Sequence, residues 1–132
     1  MPERERRSMS NSGLGYAKHP EHTVKVSPAS ERVRITFDGE LLVDTTEALK
    51  LEEASYPAVY YVPRKDVKME LLERTTHSSR CPYKGDASYF TLNGKHADEM
   101  NAVWTYEPPF DEVIAIKAYL AFYPNKVQIA IG

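Results

Sequence analysis

Cysteine is nearly absent from this chain: Cys81 is the only one in 132 residues. A lone thiol closes no internal disulfide and builds no multi-cysteine zinc site, and it agrees with a reducing compartment. Long apolar runs are also missing. No stretch reaches the roughly 18 residues that a membrane-spanning helix needs, and the first seven residues, from Met1 to Arg7, lack the apolar core of a secretory signal. Excess charge of one sign is the third shortage. Seventeen basic against nineteen acidic residues leave a formal charge of -2, which gives no electrostatic drive toward nucleic acid or an anionic membrane surface. Together these shortages predict a cytoplasmic protein with neither nucleic acid nor membrane among its partners. They leave metal ligands unassigned and name no cofactor.

What the chain does have suits one domain. Its 42% hydrophobic residues are enough for a single core at this length. Nine tyrosines, clustered after Tyr56, favour sheet over helix. Residues 1–20 are charged and then rich in Ser, Asn and Gly, with no apolar period, and read as a flexible arm that orders only at its end. Residues 21–132 read as a single β domain. In His19-Pro20-Glu21-His22 the proline opposes the helix that would align two histidines on a metal, so an extended docking segment is the better reading.

From Arg32 onward the pattern is that of short strands. Val33, Ile35 and Phe37 alternate with polar residues, and Asp38-Gly39 signals a hairpin into Leu41-Leu42-Val43. Leu49 and Leu51 alternate with Lys50 and Glu52, which predicts a strand over a stretch whose composition would also allow a helix. Ala58–Val62 is a strand bounded by two prolines. Arg64–Leu72 reads as a short helix or 3₁₀ turn with Asp66 as its N-cap. Ala87–Leu92 and Ala102–Tyr106 are strands joined through Asn93-Gly94. Asp111–Lys117 is a helical turn, and Tyr119–Tyr123 is expected to pair with Val127–Ile131 across Pro124-Asn125-Lys126. The fold class is therefore mainly β: compact antiparallel sheets of seven to nine short strands with one or two short helices.

The stretch Thr75–Tyr89 departs from generic globular sequence. Inside it, Cys81-Pro82-Tyr83-Lys84-Gly85 should make a rigid corner, because Pro82 fixes its own φ and biases Cys81 to extended backbone while Gly85 permits a left-handed turn. His77, Arg80 and Lys84 are near enough in sequence to lower a thiol pKa. Cys81 is thus a candidate nucleophile, with His77 as its base only if the loop folds back; the bland alternative is a small buried hydrophobe at a strand entry.

Several motifs in fixed order resemble one bacterial family. These are Asp44-Thr45, Leu51 with Glu53, Tyr60-Tyr61-Val62-Pro63-Arg64-Lys65-Asp66-Val67, the run from Cys81 to Tyr89, Trp104-Thr105-Tyr106-Glu107-Pro108 and Ala121-Phe122-Tyr123. The family is catalogued as domain of unknown function number 427, and the resemblance runs from about Val24 to the C-terminus. It implies a β-tent-like architecture. Relatives of that architecture commonly hold zinc with two pairs of cysteines, a set that one cysteine cannot supply. The family is also filed as nucleotidyltransferase-like; the closely spaced acids and glycine-rich phosphate cradle of such chemistry do not appear in this sequence.

The polar residues of these motifs nominate a site. Lys84 and Arg64 are candidates to hold an anionic group, with Glu53 or Asp66 to orient it and Tyr61, Tyr89, Trp104 and Tyr106 as aromatic walls. Cys81, Glu53 and Asp66 are the candidate catalytic residues. Each has a structural alternative: ion pairs of Glu53 and Asp66 with Lys84 or Arg64, a helix cap, and core packing for Trp104 and Tyr106, which lie two apart and share a face. The expected function is binding of a polar or anionic small molecule near the Cys81 corner, with a cysteine-dependent or nucleotidyltransferase-like enzyme and a protein-interaction module as alternatives.

Overall fold

Alternation builds the first sheet. In a computed structural model of the chain, which describes residues 11–132, Val33 and Ile35 point into the core from β2 (Val33–Phe37) and are almost fully buried. Asp38 and Gly39 take positive φ values of 52° and 78°, the two left-handed positions of a tight hairpin, and return the chain as β3 (Glu40–Thr45). The C-terminal β10 (Gln128–Ile131) adds to the other edge of β2. A second sheet has the order β1 (Val24–Pro28), β4 (Leu49–Glu53), β5 (Val59–Tyr61). The third holds four strands in chain order: β6 (Leu72–Cys81), β7 (Gly85–Asn93), β8 (Asp98–Thr105) and β9 (Leu120–Phe122).

All pairings are antiparallel. The described residues add one short helix, α1 (Leu14–Lys18), and three 3₁₀ turns at Arg64–Asp66, Met69–Leu71 and Asp111–Ile116. The protein is mainly β, as expected. None of these helices is long and apolar enough to cross a membrane.

The four-stranded sheet is covered on both faces. Because side chains alternate along a strand, Phe90, Leu92, Val103, Leu120 and Phe122 go to one side and meet Val33, Ile35, Leu42 and Val43 of the first sheet. Ala87, Tyr89, Trp104, Tyr106 and Ala121 go to the other and meet Leu51 and Tyr61 of the second. Paired hydrogen bonds between Val62 and Leu120, at 2.8 and 2.9 Å, join the second sheet to β9.

Three expectations change. Tyr119–Tyr123 and Val127–Ile131 do not pair with each other: β9 pairs with β8 and β10 with β2. The pairing that wins seats Ile129 opposite Ile35 and Ile131 opposite Val33, extending an apolar face that a local hairpin would have left in solvent. Asp66 ends its 3₁₀ turn instead of capping it, and its carboxylate accepts a 2.7 Å hydrogen bond from the Thr45 hydroxyl. Ten strands are present among the described residues because β1 and β6 were not anticipated. Of the arm expected over residues 1–20, residues 1–10 lie outside the described residues, whereas residues 11–20 carry α1 and lie on the Cys81 corner.

Candidate functional site

Gly85 shapes the corner. Its φ of 115° is a conformation that favours glycine, and a Cβ there would stand 3.2 Å from the Pro108 carbonyl oxygen. With Gly85 opposite Cys81 in the β6–β7 ladder, Pro82, Tyr83 and Lys84 form the turn. The Lys84 ammonium reaches back to β4 and donates to Glu53 Oε1 at 2.6 Å; the two side chains are 13% and 17% exposed. The other Glu53 oxygen lies 2.8 Å from His22 Nε2, and the His22 ring stacks on Tyr83 at 3.9 Å. Burial works to raise the Glu53 pKa, but the hydrogen bonds and charges of Lys84 and His22 outweigh it and hold the carboxyl below its usual range.

The segment preceding the family-like region closes over this corner. Gly13 and Gly15 make that approach feasible: a Cβ on Gly13 would fall 2.7 Å from the Pro82 carbonyl oxygen, and one on Gly15 would fall 2.7 Å from the Tyr83 ring. Gly15 N donates to Pro82 O at 3.2 Å and the Tyr16 hydroxyl to Tyr83 O at 2.8 Å. Glu112 accepts from Ser12 Oγ and from Gly13 N.

The aromatic candidates gather on one face of the four-stranded sheet. Trp104 Nε1 donates to the Tyr61 hydroxyl at 3.1 Å, and the indole packs at 4.5 Å against Tyr123. Tyr89 pairs with Trp104 across β7 and β8 and shares a 2.7 Å hydrogen bond with Ser79. Burial raises the Tyr61 and Tyr106 hydroxyl pKa values far above the ordinary range; burial and the neighbouring Tyr89 take Tyr123 to about 12. These phenols are therefore neutral donors and acceptors at any physiological pH.

Arg64 belongs to a different constellation. Its guanidinium donates to the Ala118 carbonyl at 2.7 Å and to Glu107 at 3.0 Å, and lies 5.7 Å from the centre of the Phe90 ring, on the opposite face of the sheet from Tyr89. Asp66 is engaged with Thr45. Cys81 is half-buried and packs against the Tyr61 cluster. His77 lies on the same extended strand, which sets its Cα about 13 Å from that of Cys81 by strand rise, and its ring rests 4.5 Å from Tyr89. Cys81 thus lacks the base that a folded-back loop would have given. Of the sequence candidates, Glu53 with Lys84, and Tyr61 with Trp104, are brought into direct contact; Arg64 and Asp66 are each tied elsewhere. No three His, Cys, Asp or Glu side chains among the described residues gather as a metal-holding group.

Sequence reasoning overlooked the outer side of Trp104. A cleft of about 540 Å³ opens there, with Val59, Tyr60, Trp104, Phe122, Ile129 and Ile131 among the residues that line it. Ile129 and Ile131 share the face of buried Ile35 and Val33 yet are 37% and 41% exposed, and Tyr56 at the rim is 65% exposed. The signal is legible in the sequence as isoleucines alternating with Gln128 and Ala130, but it points to the cleft only once β10 is paired with β2. Against known proteins, the family model described as a domain of unknown function, DUF427, matches residues 25–131. No curated protein matches the chain.

Proposed function

The chain belongs to the DUF427 family, a membership that names no activity, and from the geometry we propose that it is a small-molecule-binding module whose ligand sits in the aromatic-lined cleft at Trp104. The observation that carries this reading is the part-exposed isoleucine pair of β10: Ile129 and Ile131 line the same cleft of about 540 Å³ as Trp104 and Phe122, a size and lining that suit a compact ligand. The ligand class follows from charge. Lys84 and Arg64, the cations expected to attract an anion, are matched by Glu53 and Glu107, whereas the cleft is walled by rings, prolines and aliphatic chains. An uncharged ring compound with one or two polar edges fits it better than an anion. A cytoplasmic setting goes with this reading, supported by the single free thiol.

Trp104 is the only tryptophan, so its fluorescence reports on the cleft without a label. Titration with uncharged ring compounds that do not emit in the tryptophan band, such as cyclohexanol, borneol and menthol, should give a saturable change with at least one of them, and Ile131→Glu should weaken it tenfold or more. A flat response across the set, or equal affinity in the variant, removes the proposal.

A further inference from the structure

Two bulges face each other across β7, and none of the residues around them lines the isoleucine cleft. Pairing of β6 with β7 jumps from Arg74 opposite Phe90 to Ser78 opposite Ser88, so Thr75, Thr76 and His77 stand against Tyr89 alone. Pairing of β7 with β8 jumps from Phe90 opposite Val103 to Leu92 opposite Glu99, so Met100, Asn101 and Ala102 stand against Thr91 alone. One bulge re-aims a side chain locally; two at neighbouring levels of one strand spread the sheet surface into a groove of about 950 Å³.

The groove is held open by polar contacts. Asn101 has a φ of 54°, a left-handed conformation that costs a non-glycine residue free energy and persists only where surroundings enforce it. Its backbone N–H donates to Thr91 Oγ1 at 3.2 Å, and its carboxamide oxygen accepts from the Thr75 hydroxyl at 2.7 Å, over the top of β7. Thr75 Oγ1 in turn accepts from His77 N at 3.2 Å. The strained residue thus ties both bulges together and leaves its carboxamide NH₂ free of any protein hydrogen bond among the described residues.

We propose that this groove binds a neutral carbohydrate of two or three rings. The Thr91 and Ser78 hydroxyls, the Asn101 carboxamide NH₂ and the Asn93 carboxamide, whose NH₂ also lies 3.5 Å from Glu73, offer the mixed donors and acceptors that vicinal sugar hydroxyls require. The exposed Met100 side chain, 71% accessible, and the His77 ring give apolar surface to the C–H face of a pyranose. Charge excludes an anion: Arg74, the only cation in the lining, is bound to Glu107 at 2.7 and 3.2 Å, while Glu73 and Asp98 contribute negative charge. This site is independent of the cleft at Trp104.

The test is a ¹⁵N-labelled NMR titration with maltotriose, cellotriose and chitotriose, and with glucose 6-phosphate as a charged comparison. At least one neutral trisaccharide should give saturable shifts confined to the amides of Thr75–Ser78, Thr91, Met100 and Asn101. Asn101→Gly deletes the bond to Thr75 while glycine adopts the left-handed conformation freely, so it should weaken binding at least tenfold with a fall in melting temperature of no more than a few degrees. No saturation by any neutral sugar, tighter binding of the phosphorylated one, shifts centred on Val59 and Ile131, or unaltered affinity in Asn101→Gly each overturns the proposal.

Discussion

Lys84 Nζ and Glu53 Oε1 meet at 2.6 Å across 31 residues of sequence, each with less than a fifth of its side chain exposed. The contact fastens the Cys81 corner to the end of β4, and it neutralises the cation that made the corner look like an anion site.

Removing Lys84 therefore tests structure before ligand affinity. Lys84→Met leaves Glu53 partly desolvated with only His22 beside it, and should lower stability at pH 7 by about 1–3 kcal/mol. Because the folded-state pKa of Glu53 is depressed, its contribution is present above the unfolded carboxyl value of roughly 4.3 and is lost as pH falls through the folded value. The gap between wild type and variant should accordingly narrow below about pH 4. Urea denaturation at several pH values checks this; a gap that is constant with pH would show that the lost stability comes from packing alone.

Tyr61→Phe withdraws the acceptor of the Trp104 indole N–H without changing ring volume. The unsatisfied donor should cost about 1–2 kcal/mol, and the Trp104 emission maximum should shift as the indole loses its tether. An unchanged spectrum together with unchanged stability would mean that water or another group replaces the phenol without cost.

The segment over residues 11–22 depends on two glycines having no side chain. Gly13→Val forces a branched side chain against the Pro82 carbonyl and the Phe110 ring and should unseat α1, while the sheets keep their own packing. Trypsin should then cleave after Lys18 faster than in wild type, with a fall in melting temperature of only a few degrees. Equal cleavage rates would show that the segment tolerates the added volume.

Strands with one dry face were legible from sequence because their residues carry the period: Val33, Ile35 and Phe37, or Ala87 and Tyr89. The segment that became β6 was not, since Glu73–Arg80 contains no apolar residue and its strand state comes from pairing with β7, a tertiary effect invisible to a local pattern. The pairing of β10 was missed for a related reason: a short turn made β9 the nearest partner, but the buried row of Val33 and Ile35 offered more apolar contact. For the site, motif membership picked out Glu53, Lys84, Tyr61 and Trp104, which do meet. It could not separate them from Arg64 and Asp66, because sequence order does not reveal which face of a sheet a residue serves.

Arg64 shows what that second constellation does. Its planar guanidinium holds the carbonyl of Ala118, itself at φ 65°, and Glu107 together, a division of donors that one ammonium cannot reproduce. The guanidinium of Arg74 beside Glu107 comes first among the influences that hold that carboxyl below its usual range; burial opposes it and Arg64 adds to it. Arg64→Lys should cost about 1.5–3 kcal/mol through the lost charge-assisted bonds. Ala118→Gly relieves left-handed strain and should recover about 0.5–1 kcal/mol, and less in the Arg64→Lys background than alone if Arg64 is what enforces the strained carbonyl. A double-mutant cycle by chemical denaturation reads that coupling directly. Additive effects would mean that the turn after the Asp111–Ile116 segment holds its own shape and that Arg64 serves Glu107 only.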